Sequence, residues 1–225
     1  MKYVVIDLEM NSVKKKSEVI KELKMETIEI GAVMLDEELK EISSFITYVK
    51  PEYNDRISPM ITNLTGITYE MVVNSPVFND ALRMFTEWCL KAGDDVTVYA
   101  WSSSDYSQIY KEIKYKKYQV TEEEKKILSV RWSDFQKEFD SHLGFSRQLS
   151  LKMALEMAGI DFAGKEHDAL DDARNTAELL QVFRDKELFN KTLKKIQEAM
   201  KPSSSGYALG DMIDFSKLKL GDKKE

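Results

Sequence analysis

The chain has one cysteine, two histidines and no long apolar run in its 225 residues. Each scarcity excludes something. A single cysteine, Cys89, cannot form an internal disulfide, and its place in an apolar helical pattern reads as a small buried hydrophobe. No apolar run approaches the roughly 18 residues needed to span a bilayer. The opening "MKYVVIDLEM" has no long apolar stretch before a small-residue cleavage site, so it does not read as a signal peptide. These features point to the cytoplasm. Positive charge is also short, with 33 Lys and Arg against 39 Asp and Glu and a net charge of −6. That argues against a nucleic-acid coat protein, which is usually basic. It leaves open an enzyme that holds a short strand end through cations bound to clustered carboxylates.

What is present is a globular balance, 43% hydrophobic and 32% charged residues, in a chain long enough for one large core. "KYVVID", 2 to 7, reads as a buried strand. "TIEIGAVMLD", 27 to 36, and "ELKEISSFITYVKP", 38 to 51, read as two more, joined by a hairpin turn at "DEELK". The polar, Lys-rich "NSVKKKSEVIKELK", 11 to 24, is a connection. Two short helical turns broken at Gly66 follow Pro51, then a helix over 78 to 93. "DVTVYAWS", 95 to 102, is a fourth strand, "DYSQIYKEIKYK" a helix, and "KILSVRWSD" a fifth strand near 127 to 132. Helices are expected at about 133 to 142, 150 to 158, 168 to 186 and 188 to 200. The sum is an α/β fold: a mixed five-stranded sheet, its first three strands antiparallel, flanked by helices. Residues 1–200 form the domain. Residues 201–225 are a "PSSSG" linker and a short charged tail.

The acids are not spread at random over that scaffold. Asp7 and Glu9 close the first strand as "DLE", and residues two apart on a strand share a face. Two neighbouring carboxylates repel unless a cation lies between them, and magnesium or manganese, which favour oxygen ligands, would serve. Asp105 follows the fourth strand. It reads either as a cap for the next helix or, if strands one and four are adjacent and parallel, as a neighbour of Asp7. "EHDALDDARNTAELL", 166 to 180, opens a late helix with a histidine and three aspartates. Asp168 and Asp171 suit a helix N-terminus. His167 and Asp172 are left over, and five residues apart they can face one cleft. Histidine needs no activation to act as a base near pH 7, since its unperturbed pKa is about 6.5.

Acid pair, single acid and His-x4-Asp, in that order, resemble the DEDDh 3′–5′ exonucleases, whose fold is ribonuclease H-like. The three blocks are "VVIDLEM", "YAWSSSDYSQI" and "HDALDDARNTAEL". "ETIEIGAVMLD", "FITYVKP", "NLTGIT" and "SLKMALEMAGIDFAGKEHDALDDARNTAEL" are similar to the Eri-like branch, and the likeness covers about residues 2 to 185. The resemblance implies that Asp7, Glu9, Asp105 and Asp172 hold two divalent ions, Mg²⁺ or Mn²⁺, with His167 as general base just outside that cage. It implies substrate contacts at Met10, Leu64, Thr65 and Ile67, where the alternative is a helix stop at Gly66 with Leu64 and Ile67 in the core. Trp101 could stack on a base or simply form core or cleft wall. Lys14 to Lys16, and Lys111, Lys114, Lys116 and Lys117, could contact phosphates or form solvated faces.

The expected activity is metal-dependent 3′–5′ removal of nucleoside 5′-monophosphates from single-stranded ends, RNA before DNA by the resemblance. One rival is a nucleic-acid-binding module on the same fold without turnover. Another is a regulatory protein, for instance one bearing on sporulation in a bacterium, that uses the same site. A scaffold with solvated acids is a third, and it would have no tight divalent-ion site.

Overall fold

The computed structural model describes residues 1–13, 22–93, 95–144 and 148–199. Five strands form one mixed sheet in the order β3-β2-β1-β4-β5. They are β1 (Lys2–Ser12), β2 (Met25–Leu35), β3 (Glu41–Tyr48), β4 (Val96–Ala100) and β5 (Trp132–Asp134). β1 pairs antiparallel with β2 and parallel with β4; β2–β3 is antiparallel and β4–β5 parallel. The meander and the adjacent, parallel β1 and β4 match the sequence expectation. The turn between β2 and β3 closes on Asp36, whose Oδ1 accepts the N–H groups of Glu38 and Lys40 at 2.9 Å each.

Nine helices stand among the described residues: α1 (Pro59–Thr65), α2 (Tyr69–Val72), α3 (Phe78–Leu90), α4 (Ser103–Tyr115), α5 (Glu122–Ser129), α6 (Phe135–Leu143), α7 (Leu151–Ala158), α8 (Ala169–Arg184) and α9 (Lys186–Ala199). None is long and apolar enough to cross a membrane. The alternation of β1 splits its side chains between two cores. Val4, Ile6 and Leu8 pack under α3 with Phe78, Leu82, Phe85 and Trp88. Val5 faces the other way, with Phe135, Phe139, Leu155 and Leu180 from α6, α7 and α8. Cys89 is fully buried in the first core, as expected of a small hydrophobe.

Two expectations need correction. β1 runs on to Ser12, because its acidic end still pairs with β2 down to Met25. Acids are poor strand formers, and here pairing overrides propensity. The fifth strand is not at 127 to 132. Residues Glu122–Ser129 are helical, started by a capping box in which Thr121 and Glu124 satisfy each other's backbone N–H groups. Only Trp132–Asp134 pairs with β4. The lysines 14 to 16 and the tail after residue 200 lie outside the described residues.

Candidate active site

The site forms where β1 and β4 end side by side. The two chain directions leave them on opposite sides, β1 towards β2 and β4 towards β5, which opens a crevice at their carboxyl ends. Asp7 and Glu9 project from β1 towards α8. Glu9 stands opposite Glu29 and Asp7 opposite Gly31 in the β1–β2 register, and the pairing slips immediately after Glu9. The extra residue is Ile28, so it is β2 that bulges and bends opposite the acidic end of β1.

Asp105 comes from the first turn of α4. It does not cap that helix, because Ser102 does, accepting the Ser104 N–H at 3.2 Å. Asp105 Oδ1 instead accepts the Leu8 N–H at 3.2 Å, so the carboxylate is tied directly to β1. Helix α8 is capped by Asp168, whose Oδ1 accepts the Asp171 N–H. Asp171 does not cap α8; its Oδ2 reaches back to the Lys165 N–H at 2.8 Å. His167 has a left-handed backbone, φ 63°, and donates its N–H to Asp172 Oδ2 at 3.2 Å. The two residues left over by capping are therefore held together.

Gly31 sets how close α8 can come. A Cβ there would run into the backbone of Ala169 and Leu170. Only glycine lets the helix start lie against β2. Glu29, 1% exposed, then accepts the Ala169 N–H at 3.2 Å. Neither residue was singled out from the sequence. Glu29 left a trace, an acid at an otherwise apolar stretch of strand in "TIEIGAV".

The result is an open cleft of about 600 Å³ lined by Asp7, Glu9, Met10, Asp105, His167 and Asp172, with Trp101, the serines 102 to 104, Gln136 and Gln148. All five residues expected to act on phosphate are thus brought together. Burial dominates the electrostatics. It pushes Glu9 up to about 8, with Asp172 and Glu29 adding to the shift. Asp172 and Asp105 are each pushed to about 7 by burial, against the hydrogen bonds they accept from the His167 and Leu8 N–H groups. Asp7 is held well above the usual carboxylate range by burial, then by Asp105, Asp172 and Glu9. No lysine or arginine lines the cleft among the described residues.

Glu9, His167 and Asp172 each offer a ligand atom within 4.8 Å of the others. Among the described residues these three donors lie close together, so the imidazole stands beside the acids. Asp7 and Asp105 share the cleft but not that spacing. Clustered carboxylate oxygens with one imidazole nitrogen, raised in pKa chiefly by burial, fit a hard divalent cation.

The substrate contacts expected around Gly66 are not in the cleft. Ile67 is 2% exposed and packs with Ile28, Ile57, Ile61 and Val72. Thr65 Oγ donates to the Ile61 carbonyl at 2.9 Å and accepts the Ile67 N–H at 3.0 Å, completing the end of α1. Leu64 is exposed away from the cleft lining. This loop meets the site indirectly, since Lys165 Nζ donates to the Thr65 carbonyl at 2.5 Å, two residues before His167. Trp101 lines the cleft but is 8% exposed and packs against Phe135 and Phe139, so it is wall and not a stacking face. Lys116 is buried among acids and reaches no phosphate path. Lys111, Lys114 and Lys117 are exposed outside the cleft.

Comparison with known proteins bears on this site. The sequence pattern of the RNase T exonuclease family matches residues 4–180. 3′-5′ exoribonuclease 1 of Rattus norvegicus is 29% identical over 164 residues, covering 68% of this chain and 45% of that protein. ERI1 exoribonuclease 2 of Danio rerio is 30% identical over 199 residues, covering 79% of this chain and 34% of the relative. The chain therefore spans less than half the length of these curated relatives. The nuclease domain of 3′hExo, a DEDDh family member solved with rAMP bound, superposes with a TM-score of 0.68 at 24% identity, over 80% of this chain and 90% of that one. It shares the fold: a mixed sheet with flanking helices. With a family match over residues 4–180, most of its length, the chain belongs to the exonuclease family.

Proposed function

We propose that this protein is a divalent-metal-dependent 3′–5′ exonuclease that releases nucleoside 5′-monophosphates from single-stranded ends, with RNA preferred to DNA. The observation that carries the reading is the convergence of Asp7, Glu9, Asp105, His167 and Asp172, drawn from three distant stretches of chain, on one cleft. The RNA preference leans on the exoribonuclease relatives. It is a preference and no more, because E. coli exonuclease I, solved with a dA16 oligonucleotide, shares the fold at a TM-score of 0.60 and 15% identity.

In this reading Asp7, Glu9, Asp105 and Asp172 hold two ions, Mg²⁺ or Mn²⁺. The ions supply acidified water and neutralise charge on the reacting phosphate. The chain does the rest. His167 takes the proton of the attacking water, whose oxygen bonds to phosphorus as the P–O3′ bond breaks. The His167 N–H bond to Asp172 fixes the backbone that carries the imidazole. Leu8 and Ala169, through their N–H groups, hold Asp105 and Glu29 in place. Met10 and Trp101 form apolar wall beside the terminal nucleotide. No lysine or arginine lines the cleft among the described residues, so bound cations would supply the attraction for phosphate there. The exonuclease unit is residues 1–200, with 201–225 as an appended tail, and truncation at Pro202 should leave turnover intact.

The test uses single-stranded RNA and DNA, labelled at the 3′ or the 5′ end, with Mg²⁺, Mn²⁺ or chelator. Stepwise shortening from the 3′ end is expected, halted by chelator and by Asp172→Ala. Binding without shortening, unaffected by that substitution, would leave a binding module instead.

A further inference from the structure

We propose that a second pocket, framed by Tyr106 and Trp132, is a nucleobase subsite for the strand that enters the catalytic cleft. The inference rests on the exonuclease reading above and adds to it a place for a base beyond the terminal nucleotide.

The pocket opens beside the ends of β4 and β5 and has a volume of about 230 Å³. Whole small ligands usually occupy about 300–1,000 Å³, so this one takes part of a ligand, on the scale of a flat ring. Ser102 and Ser103 line both this pocket and the catalytic cleft, so one turn of backbone separates them. A chain leaving the cleft over that turn meets the pocket next.

The lining suits a base. Tyr106 and Trp132 approach at 5.1 Å between ring centroids, tilted by 52°, and Tyr110 backs Tyr106 at 4.5 Å. Trp132 is pinned by its indole N–H, which donates to the Ile127 carbonyl at 3.3 Å. Tyr106 is 36% exposed, so the aromatic pair is rigid behind and open in front. Aromatic faces stack on bases with little regard to sequence. Ser133 and Asp134 supply polar groups at the rim. Asp134 is already fixed, its Oδ1 accepting the Lys137 N–H at 2.9 Å. A carboxylate accepts from exocyclic amino groups, which adenine, cytosine and guanine carry and uracil lacks. This pocket is what Trp101, buried in the wall, does not provide. It went unseen in the sequence because Trp132 was placed at the end of a strand that is mostly helix.

The experiment scans a single abasic nucleotide along a short RNA from its 3′ end. Affinity is read by fluorescence anisotropy with Mn²⁺, using the full chain carrying His167→Ala to slow degradation. One position inside the terminal nucleotide should weaken binding about 10-fold when abasic. Adding Tyr106→Ala should erase that position's effect, and Tyr106→Phe should restore it. A uracil at the same position should bind less well than adenine. A profile flat beyond the terminal nucleotide, or one unchanged by Tyr106→Ala, overturns the subsite. Turnover is measured separately on the unmutated chain. Absent turnover with a Tyr106-dependent profile would remove the exonuclease reading and keep the subsite; no RNA binding at all would remove both.

Discussion

Glu26 and Glu29 lie three residues apart on β2, both essentially without solvent contact, and their surroundings could hardly differ more. Glu26 faces α4. There it accepts the Glu52 N–H at 2.8 Å and the Tyr53 N–H at 3.1 Å, and lies 3.7 Å from Lys116 Nζ. The same ammonium reaches Glu52 at 2.6 Å and Glu112 at 2.9 Å, while Glu112 accepts from Thr27 and Gln108. Burial works against the charge on Lys116, but Glu112 and Glu52 outweigh it and raise its pKa. Glu29 faces α8 and joins Asp7, Glu9, Asp105 and Asp172. Among the described residues no lysine or arginine lines that group's cleft, though Lys165 acts on Glu29 from nearby. One cluster has a cation from the chain at its centre and holds the loop after β3 to the sheet, although burial still raises Glu26. The other gathers its acids around an open cleft that no described lysine or arginine lines, and burial raises all of them. In the proposed reading, that difference separates a structural acid cluster from a metal-binding one.

That contrast can be broken by mutation on either side. The largest effects belong to the open cluster. His167→Ala should lower kcat about 10²–10⁴-fold, and Asp172→Asn should lower it at least as far, in assays of 3′-end release. Yet Asp172→Asn removes one charge from a repelling group. It should raise the metal-free melting temperature, at about 2–4 °C per kcal/mol for a chain of this size. A drop would mean that the acids are not strained against one another. In the closed cluster the signs reverse. Lys116→Ala strands buried carboxylates and should cost about 3–5 kcal/mol of stability by urea denaturation. Its kcat per folded molecule should be unchanged.

The smallest effect sharpens the comparison through pH. An acid with a folded pKa above its unfolded value binds its proton more tightly when folded. That stabilisation is complete below the unfolded value of about 4 and is lost as pH rises through the folded one. Glu9 sits at about 8, and Asp105, Asp172 and Glu29 at about 7. Metal-free protein should thus melt progressively lower between about pH 5 and pH 8. Mn²⁺ should flatten the curve, most of all at the alkaline end. A metal-independent curve would contradict the open cluster's role.

Much of this was legible in the chain because it is local. "DLE" puts two acids on one strand face, and His-x4-Asp puts two groups at one helix start, without any knowledge of the fold. Bringing Asp105 to Asp7 needed only β1 and β4 to be parallel neighbours, which the strand order provides. What escaped depends on contacts between distant segments. Gly31 has meaning only because Ala169 lies over it. Lys116 looked like one more lysine in a basic helix, and only Glu26 and Glu52, from other elements, make it structural. Thr65 and Ile67 looked like substrate contacts in a loop, but they close α1 and fill a small core. "KILSVRWSD" reads as strand near 127 to 132, but its first residues finish α5, which the Thr121–Glu124 box starts by an exchange between side chains and backbone.

The left-handed backbone at His167 has a consequence for how this protein can change. A residue with a Cβ gives up about 1–2 kcal/mol to sit at such a dihedral, and glycine gives up almost none. Replacement by glycine would relax the chain and remove the imidazole in one step. A sturdier protein is thus a single substitution away, and in the proposed reading it would be a silent one.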